Sequence, residues 1–129
     1  MAVTHSTAAL NAATDAVTAL IGSSGNLVFR LTGSVGAPGT AVATLPLSTD
    51  AFGDASSGTA TANAITSDTN ATGNASAVAT ATLQTSGGTV VIHCAVGSSG
   101  SDINMSGGLT VAAADTVSCS SLTYKAIAS

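Results

Sequence analysis

Charged residues are scarce in this chain of 129 residues, in which glutamate is absent and only 6% of the positions are charged. Ordinary soluble domains carry about 25%. The only lysine and arginine are Arg30 and Lys125. Because neutralising a run of phosphates needs many cations, this composition argues against nucleic acid as a partner. The net charge of −4 is also too dilute to form an acidic interaction tail.

Aromatic and sulfur-containing side chains are nearly as rare, with two Phe, one Tyr, two Cys and no Trp. Alanine makes the largest contribution to the hydrophobic fraction of 45%. Since alanine buries little area, we expect an isolated chain to be only modestly stable. Cys94 and Cys119 each alternate in step with the apolar residues of their predicted strands, which is typical of small buried hydrophobic residues. Whether they pair as a disulfide stays open.

Long hydrophobic runs are missing as well. No stretch reaches the ~18 apolar residues of a membrane span. The N-terminus lacks the basic start of a signal peptide, and polar residues from Thr7 to Asp15 interrupt its apolar positions. We therefore expect no membrane partner and folding in a reducing cytoplasm.

One helix is predicted over residues 6–21 of a single domain, 1–129. Apolar residues recur there at helical spacing, and Ser6 or Thr7 can cap the start. The stripe consists of Leu10, Ala13, Val17, Leu20 and Ile21. A helix this short needs a surface to lie on. Leu10, Val17, Leu20 and Ile21 are therefore candidate interface residues, with packing of the helix onto its own domain as the equal alternative.

From residue 26 to 126 the apolar period changes from 3.6 to 2, which indicates strands. Leu27, Phe29 and Leu31 share one face. Pro46 predicts that strand 41–47 lies at a sheet edge or is near its end at that residue. The remaining predicted strands are 59–65, 75–85, 89–96, 109–113 and 116–125, with a hairpin at Ser86-Gly87-Gly88 and a β-bulge at Ser120-Ser121. The pattern predicts a mainly β fold, an antiparallel β-sandwich or jelly-roll-like barrel with one short N-terminal α-helix.

Reactive groups are not arranged in any recognisable catalytic or metal-binding pattern. Asp50 and Asp54 are typical of turns. His93 and Cys94 are neighbours on one strand, so their side chains point to opposite faces. Asp102 with Asn104 supplies too few carboxylates for a calcium loop. The sequence therefore predicts no catalytic, cofactor-binding or metal-binding residue and no small-molecule substrate.

Several segments of the sequence, taken in their order along the chain, resemble a known family. They are Met1 to Ala9, Val42 to Ser48, Ala51 to Ser56, Ala60 to Thr69 and Val96 to Asn104. Together they are similar to small virion-associated proteins of tailed bacteriophages, described as decoration, cement, minor structural or tail-fibre-like proteins. The chain departs from that family at 77–80, where an aromatic pair is replaced by Ala77-Val78-Ala79-Thr80.

The resemblance implies a non-enzymatic structural role. We expect a capsid decoration or cement protein that binds the major capsid protein on the virion exterior in many copies, as a homo-oligomer assembled in the host cytoplasm. A tail-fibre or tail-tip module that binds a host receptor or glycan is the alternative. An enzyme is the third hypothesis, and it would require a pocket of polar groups that the sequence does not indicate.

Overall fold

The computed structural model describes residues 3–127. One helix is followed by seven strands in this part of the chain. They are α1 (Thr7–Ala19), β1 (Asn26–Arg30), β2 (Ala41–Pro46), β3 (Thr59–Thr61), β4 (Thr80–Gln84), β5 (Val90–Gly97), β6 (Ile103–Asn104) and β7 (Thr123–Lys125). The mainly β fold with one short helix is confirmed.

The main sheet has five strands in the order β2-β1-β4-β5-β6 and curls into a half-barrel. It is mixed rather than wholly antiparallel, because β6 runs parallel to β5, with Val96 opposite Ile103. The purely antiparallel prediction is therefore wrong at this strand. Parallel neighbours ordinarily need a long crossover. Here β6 contributes only two residues, and the chain returns to the edge of β5 through the short loop 98–102.

The core lies on the face of this sheet that carries Leu27 and Phe29. Leu27 and Phe29 of β1 stand opposite Leu83 and Ala81 of β4, so four apolar side chains meet on one face. The predicted hairpin between β4 and β5 is confirmed. Pro46 ends β2, which is an edge strand, as its missing N–H predicts.

Other predicted strands are shorter than the pattern indicated or absent. Residues 75–79 and 109–113 form no strand. The predicted strand 116–125 is two separate pieces: Val117 bridges Asp68, and β7 pairs with β3 in a second sheet. The apolar alternation changes phase at Ser120-Ser121 because the chain leaves its pairing with Asp68 there and then pairs with β3. The predicted β-bulge is therefore wrong.

The opposite face of the main sheet carries a polar network around Arg30. Its guanidinium donates to Thr82 Oγ1 at 3.1 Å, to the Gly39 carbonyl at 2.8 Å and to Gln84 Oε1 at 2.9 Å. Thr82 is fully buried. Because these partners are neutral, Arg30 is held by hydrogen bonds and also fixes the loop between β1 and β2 over the sheet.

Helix α1 packs against β3 through polar side chains. The Thr14 hydroxyl donates to the Gly58 carbonyl at 2.6 Å and accepts from the Ala126 N–H at 3.2 Å. Asn11 Oδ1 accepts from the Gly58 N–H at 2.7 Å, and Asp15 Oδ1 accepts from the Ala55 N–H at 2.8 Å. The helix is therefore fixed by hydrogen bonds to loop backbone, in addition to its apolar contacts.

Candidate functional site

The four candidate interface residues occupy different environments. Leu10 and Val17 are half-buried, whereas Leu20 is 65% exposed at the C-cap of α1. Ile21 is only 1% exposed and belongs to the core. Ile21 thus stabilises its own chain and is not surface. The helix stops short of residue 21 because the chain turns there toward Gly22, which has a φ of 79°.

A groove of about 510 Å³ opens beside β6. One wall is β6 with the loop that follows it, and the other is the segment 115–123. Phe29, which is 2% exposed, contributes to its floor. The groove therefore lies where the curled sheet stops at β6.

Backbone and hydroxyl groups dominate the lining of this groove. The serines and threonines are Ser106, Thr110, Thr116, Ser118, Ser120, Ser121 and Thr123. The only charged lining residues are Asp102 and Asp115, and each accepts a local backbone N–H, from Ala95 and Ala112 respectively. Small-molecule sites are lined mainly by apolar and aromatic side chains, so this lining differs from that of a typical small-molecule site.

The thiols near the core have the properties of unreactive cysteines. Burial, and secondarily the charge of Asp102, raises the pKa of Cys94 to about 11. Burial also raises the pKa of Cys119, which lines the groove and donates to the Ser121 carbonyl. A nucleophilic cysteine needs the opposite shift. Both residues are free thiols.

The remaining candidate groups do not come together as a site. Asp15, Asp50 and Asp54 border a second cavity of about 230 Å³. Within residues 3–127, however, no group of three or more His, Cys, Asp or Glu side chains could hold a metal ion. His93 pairs with Thr82 and Cys94 with Ala81, so the two side chains lie on opposite sheet faces as predicted. No helix in the described part of the chain could cross a membrane.

Sequence reasoning missed the groove. One wall, around β6, comes from a Gly- and Ser-rich segment that was interpreted as a loop, and β6 itself is too short to show a pattern. The other wall, 115–123, lies almost wholly within the segment 116–125, which was predicted as a single strand. The one available signal was the change of phase at Ser120-Ser121, which was interpreted as a bulge.

Comparisons with known proteins found no relative of this chain. The chain matches no family model, no curated protein and no solved structure.

Proposed function

We propose that this protein is a non-enzymatic structural component of a tailed-phage virion, most specifically a capsid decoration or cement protein. Its partners are the major capsid protein and further copies of itself on the outer surface of the head. The proposal that the protein belongs to a phage virion rests on the sequence resemblance. The proposal of a contact function rests on the groove, which combines open backbone and hydroxyl groups with unreactive thiols.

The nearly uncharged composition supports dense packing of copies. Copies that meet in a lattice bring like surfaces together, and charged surfaces repel when the same sign is repeated. With 6% charged residues and Arg30 held by neutral partners, this chain has little charge to repel a neighbour. Hydroxyl and backbone groups instead provide hydrogen bonds that do not depend on charge.

The groove also bears on the alternative of a glycan-binding tail module. Its only aromatic lining residue is Phe29, which is buried, and Tyr124 is not part of the lining. Sugar recognition by stacking needs an exposed aromatic face. The lining therefore favours a polypeptide partner over a glycan.

The proposal extends to the fold of the assembled protein. We propose that strands from neighbouring chains extend this half-barrel toward a sandwich or jelly-roll-like barrel when copies assemble. In this proposal the half-barrel is the unassembled form of the fold.

Electron cryomicroscopy of the intact particle, with quantitative mass spectrometry of its proteins, tests the function. We expect copy numbers comparable to those of the major capsid protein and density on the outer face of the head. A handful of copies at the tail would refute the decoration role, and absence from purified particles would refute a virion role altogether.

A further inference from the structure

Arg30 is a cation without a counter-charge. It is half-buried on the face of the main sheet opposite Leu27 and Phe29. All three of its hydrogen-bond acceptors are neutral, and within residues 3–127 it forms no ion pair with an aspartate. Taking a charge out of water costs free energy unless an opposite charge comes with it. The described chain therefore leaves this charge to be neutralised from outside.

The guanidinium also has N–H groups to spare. An arginine side chain carries five N–H donors, one on Nε and two on each Nη. Here Nε donates to Thr82, Nη1 to the Gly39 carbonyl and Nη2 to Gln84. One N–H on each Nη atom is thus left without an acceptor in the described chain. A carboxylate can accept two such N–H groups, one at each oxygen.

Gln84 adds further donors beside the guanidinium. Its Oε1 accepts from Arg30 Nη2 and from the Thr82 hydroxyl, each at 2.9 Å. Because this oxygen is bound twice, the amide nitrogen is the end of the side chain that remains. Gln84 Nε2 is not among the fully buried atoms that lack a partner, so it reaches solvent. The side-chain oxygens of the network are therefore used within it, and the groups left over are N–H donors.

The groups left over define the chemistry of a ligand. A carboxylate accepts hydrogen bonds only and carries a negative charge, so it meets both the spare donors and the missing counter-charge. A neutral ligand would leave the charge of Arg30 unpaired. Arg30 lines neither of the two cavities described above. A position outside these cavities suits a carboxylate presented on the surface of another polypeptide.

We propose that Arg30 and Gln84 form a binding site for a carboxylate side chain of a neighbouring polypeptide. The guanidinium donates two N–H groups to it, and the Gln84 amide donates another. A second copy of this chain carries suitable groups, because Asp50 and Asp54 are exposed and their carboxylates accept no hydrogen bond within residues 3–127. The site goes beyond the proposed function and does not depend on a place in the virion.

Nuclear magnetic resonance tests the site with acetate as the probe. A chain with a single arginine gives a single Nε–H signal, so the reporter needs no separate assignment. Sodium acetate is titrated into the isotope-labelled chain, with sodium chloride keeping the ionic strength constant. We expect the Arg30 Nε–H and Gln84 amide signals to shift to saturation with acetate. A shift that never saturates, or that chloride alone reproduces, would overturn the proposal.

Three variants locate the binding. Arg30→Lys keeps the charge but loses the paired N–H groups, and we expect it to weaken acetate binding by about tenfold or more, as followed at the Gln84 amide. Gln84→Glu places a carboxylate inside the network and should abolish acetate binding at the Arg30 signal. Lys125→Met is the matched control, because it removes the other cation, which is exposed.

Each variant has an outcome that contradicts the site. Acetate binding as tight as in wild type in Arg30→Lys or in Gln84→Glu would overturn it, and so would loss of binding in Lys125→Met. Either of the first two variants decides the matter if the other does not fold.

Sedimentation of the wild-type chain, with and without acetate, identifies the neighbouring polypeptide. Self-association that acetate reverses, and that chloride does not, assigns the carboxylate to a second copy. A monomer that binds acetate to saturation assigns it to a different protein. Both results support the site, since both require the saturable shift at Arg30. Failure of that shift would refute the site and leave the proposed virion function standing.

Discussion

Thr14→Val is the substitution that tests how α1 is attached. Thr14 is 0% exposed, and its hydroxyl serves two backbone groups from distant parts of the chain, the Gly58 carbonyl and the Ala126 N–H. Valine has nearly the same shape and a similar helix propensity. The substitution therefore removes both hydrogen bonds while changing packing very little.

The expected cost follows from the two orphaned groups. Leaving a buried donor or acceptor unsatisfied costs about 1–3 kcal/mol. We expect Thr14→Val to lower the free energy of unfolding by about 1–3 kcal/mol, mainly through the buried Gly58 carbonyl, because Ala126 is only half-buried. That is a large part of the roughly 5–15 kcal/mol typical of domains. Urea unfolding followed by far-UV circular dichroism measures it, and exchange of the Ala126 amide with solvent reports the local loss.

Thr18→Val is the matched control, one turn later in the same helix. The Thr18 hydroxyl donates to the Asp15 carbonyl of its own helix at 3.2 Å. Its removal orphans no group elsewhere, so we expect a cost below about 1 kcal/mol. Equal losses in the two variants, or a Thr14→Val chain within about 0.5 kcal/mol of wild type, would refute this account of the attachment.

Three further predictions concern the sheet, a thiol and a turn. Arg30→Met should lower stability by about 1.5–3 kcal/mol, equally in low and high salt because its partners are neutral; strong salt dependence of the loss would contradict this. The free energy of unfolding should fall as pH rises from 9.0 toward about 11, because the Cys94 thiol has the lower pKa in the unfolded chain and loses its proton there first. Cys94→Ser should reduce that fall. If the pH dependence of the free energy of unfolding is the same in Cys94→Ser as in wild type, the thiol is not its cause. Gly73 and Gly22 both have positive φ, but a Cβ at Gly73 would lie 2.3 Å from a backbone nitrogen whereas Gly22 faces open space. Gly73→Ala should therefore have a lower melting temperature than Gly22→Ala, and the reverse order would show that the close approach at Gly73 does not limit stability.

Local signals in the sequence predicted the local structure well. The Ser86-Gly87-Gly88 turn joins the two strands that it was expected to join. Pro46 lies at the end of an edge strand because it has no N–H to donate. Both predictions depend on one or two residues whose backbone chemistry leaves few alternatives.

Predictions that depended on alternation alone were less accurate. Alanine alternates with threonine in much of this chain, yet neither residue has a strong preference for buried or exposed positions. Ala75 and Ala77 are exposed, whereas Thr82 is fully buried beneath Arg30. Where alanine takes the place of larger apolar residues, the pattern no longer identifies the face that is buried, and tertiary hydrogen bonds decide it.

The same weakness affected the helix. Its apolar stripe was expected either to supply a contact surface or to pack onto its own domain, and the structure divides it: Ile21 lies inside the core and Leu20 is exposed. Thr14, Asn11 and Asp15 make the attachment, because the loop 55–58 brings backbone groups that need partners. No periodicity of hydrophobic residues can reveal such a partner, since the loop lies far away along the chain.

The scarcity of charge gives the open edge at β6 its significance. Proteins commonly protect an edge strand with a lysine or another charged side chain. This chain has too few charges to do so, and at β2 residues 66–73 form a strap that is held by backbone hydrogen bonds and by the carboxylate of Asp68. Within residues 3–127, no equivalent strap is bonded to β6, so this edge of the main sheet is open to an uncharged neighbour. An edge of this kind either pairs with a specific strand or invites nonspecific aggregation, so filling the groove with Ser120→Tyr should make the protein less prone to aggregate on concentration.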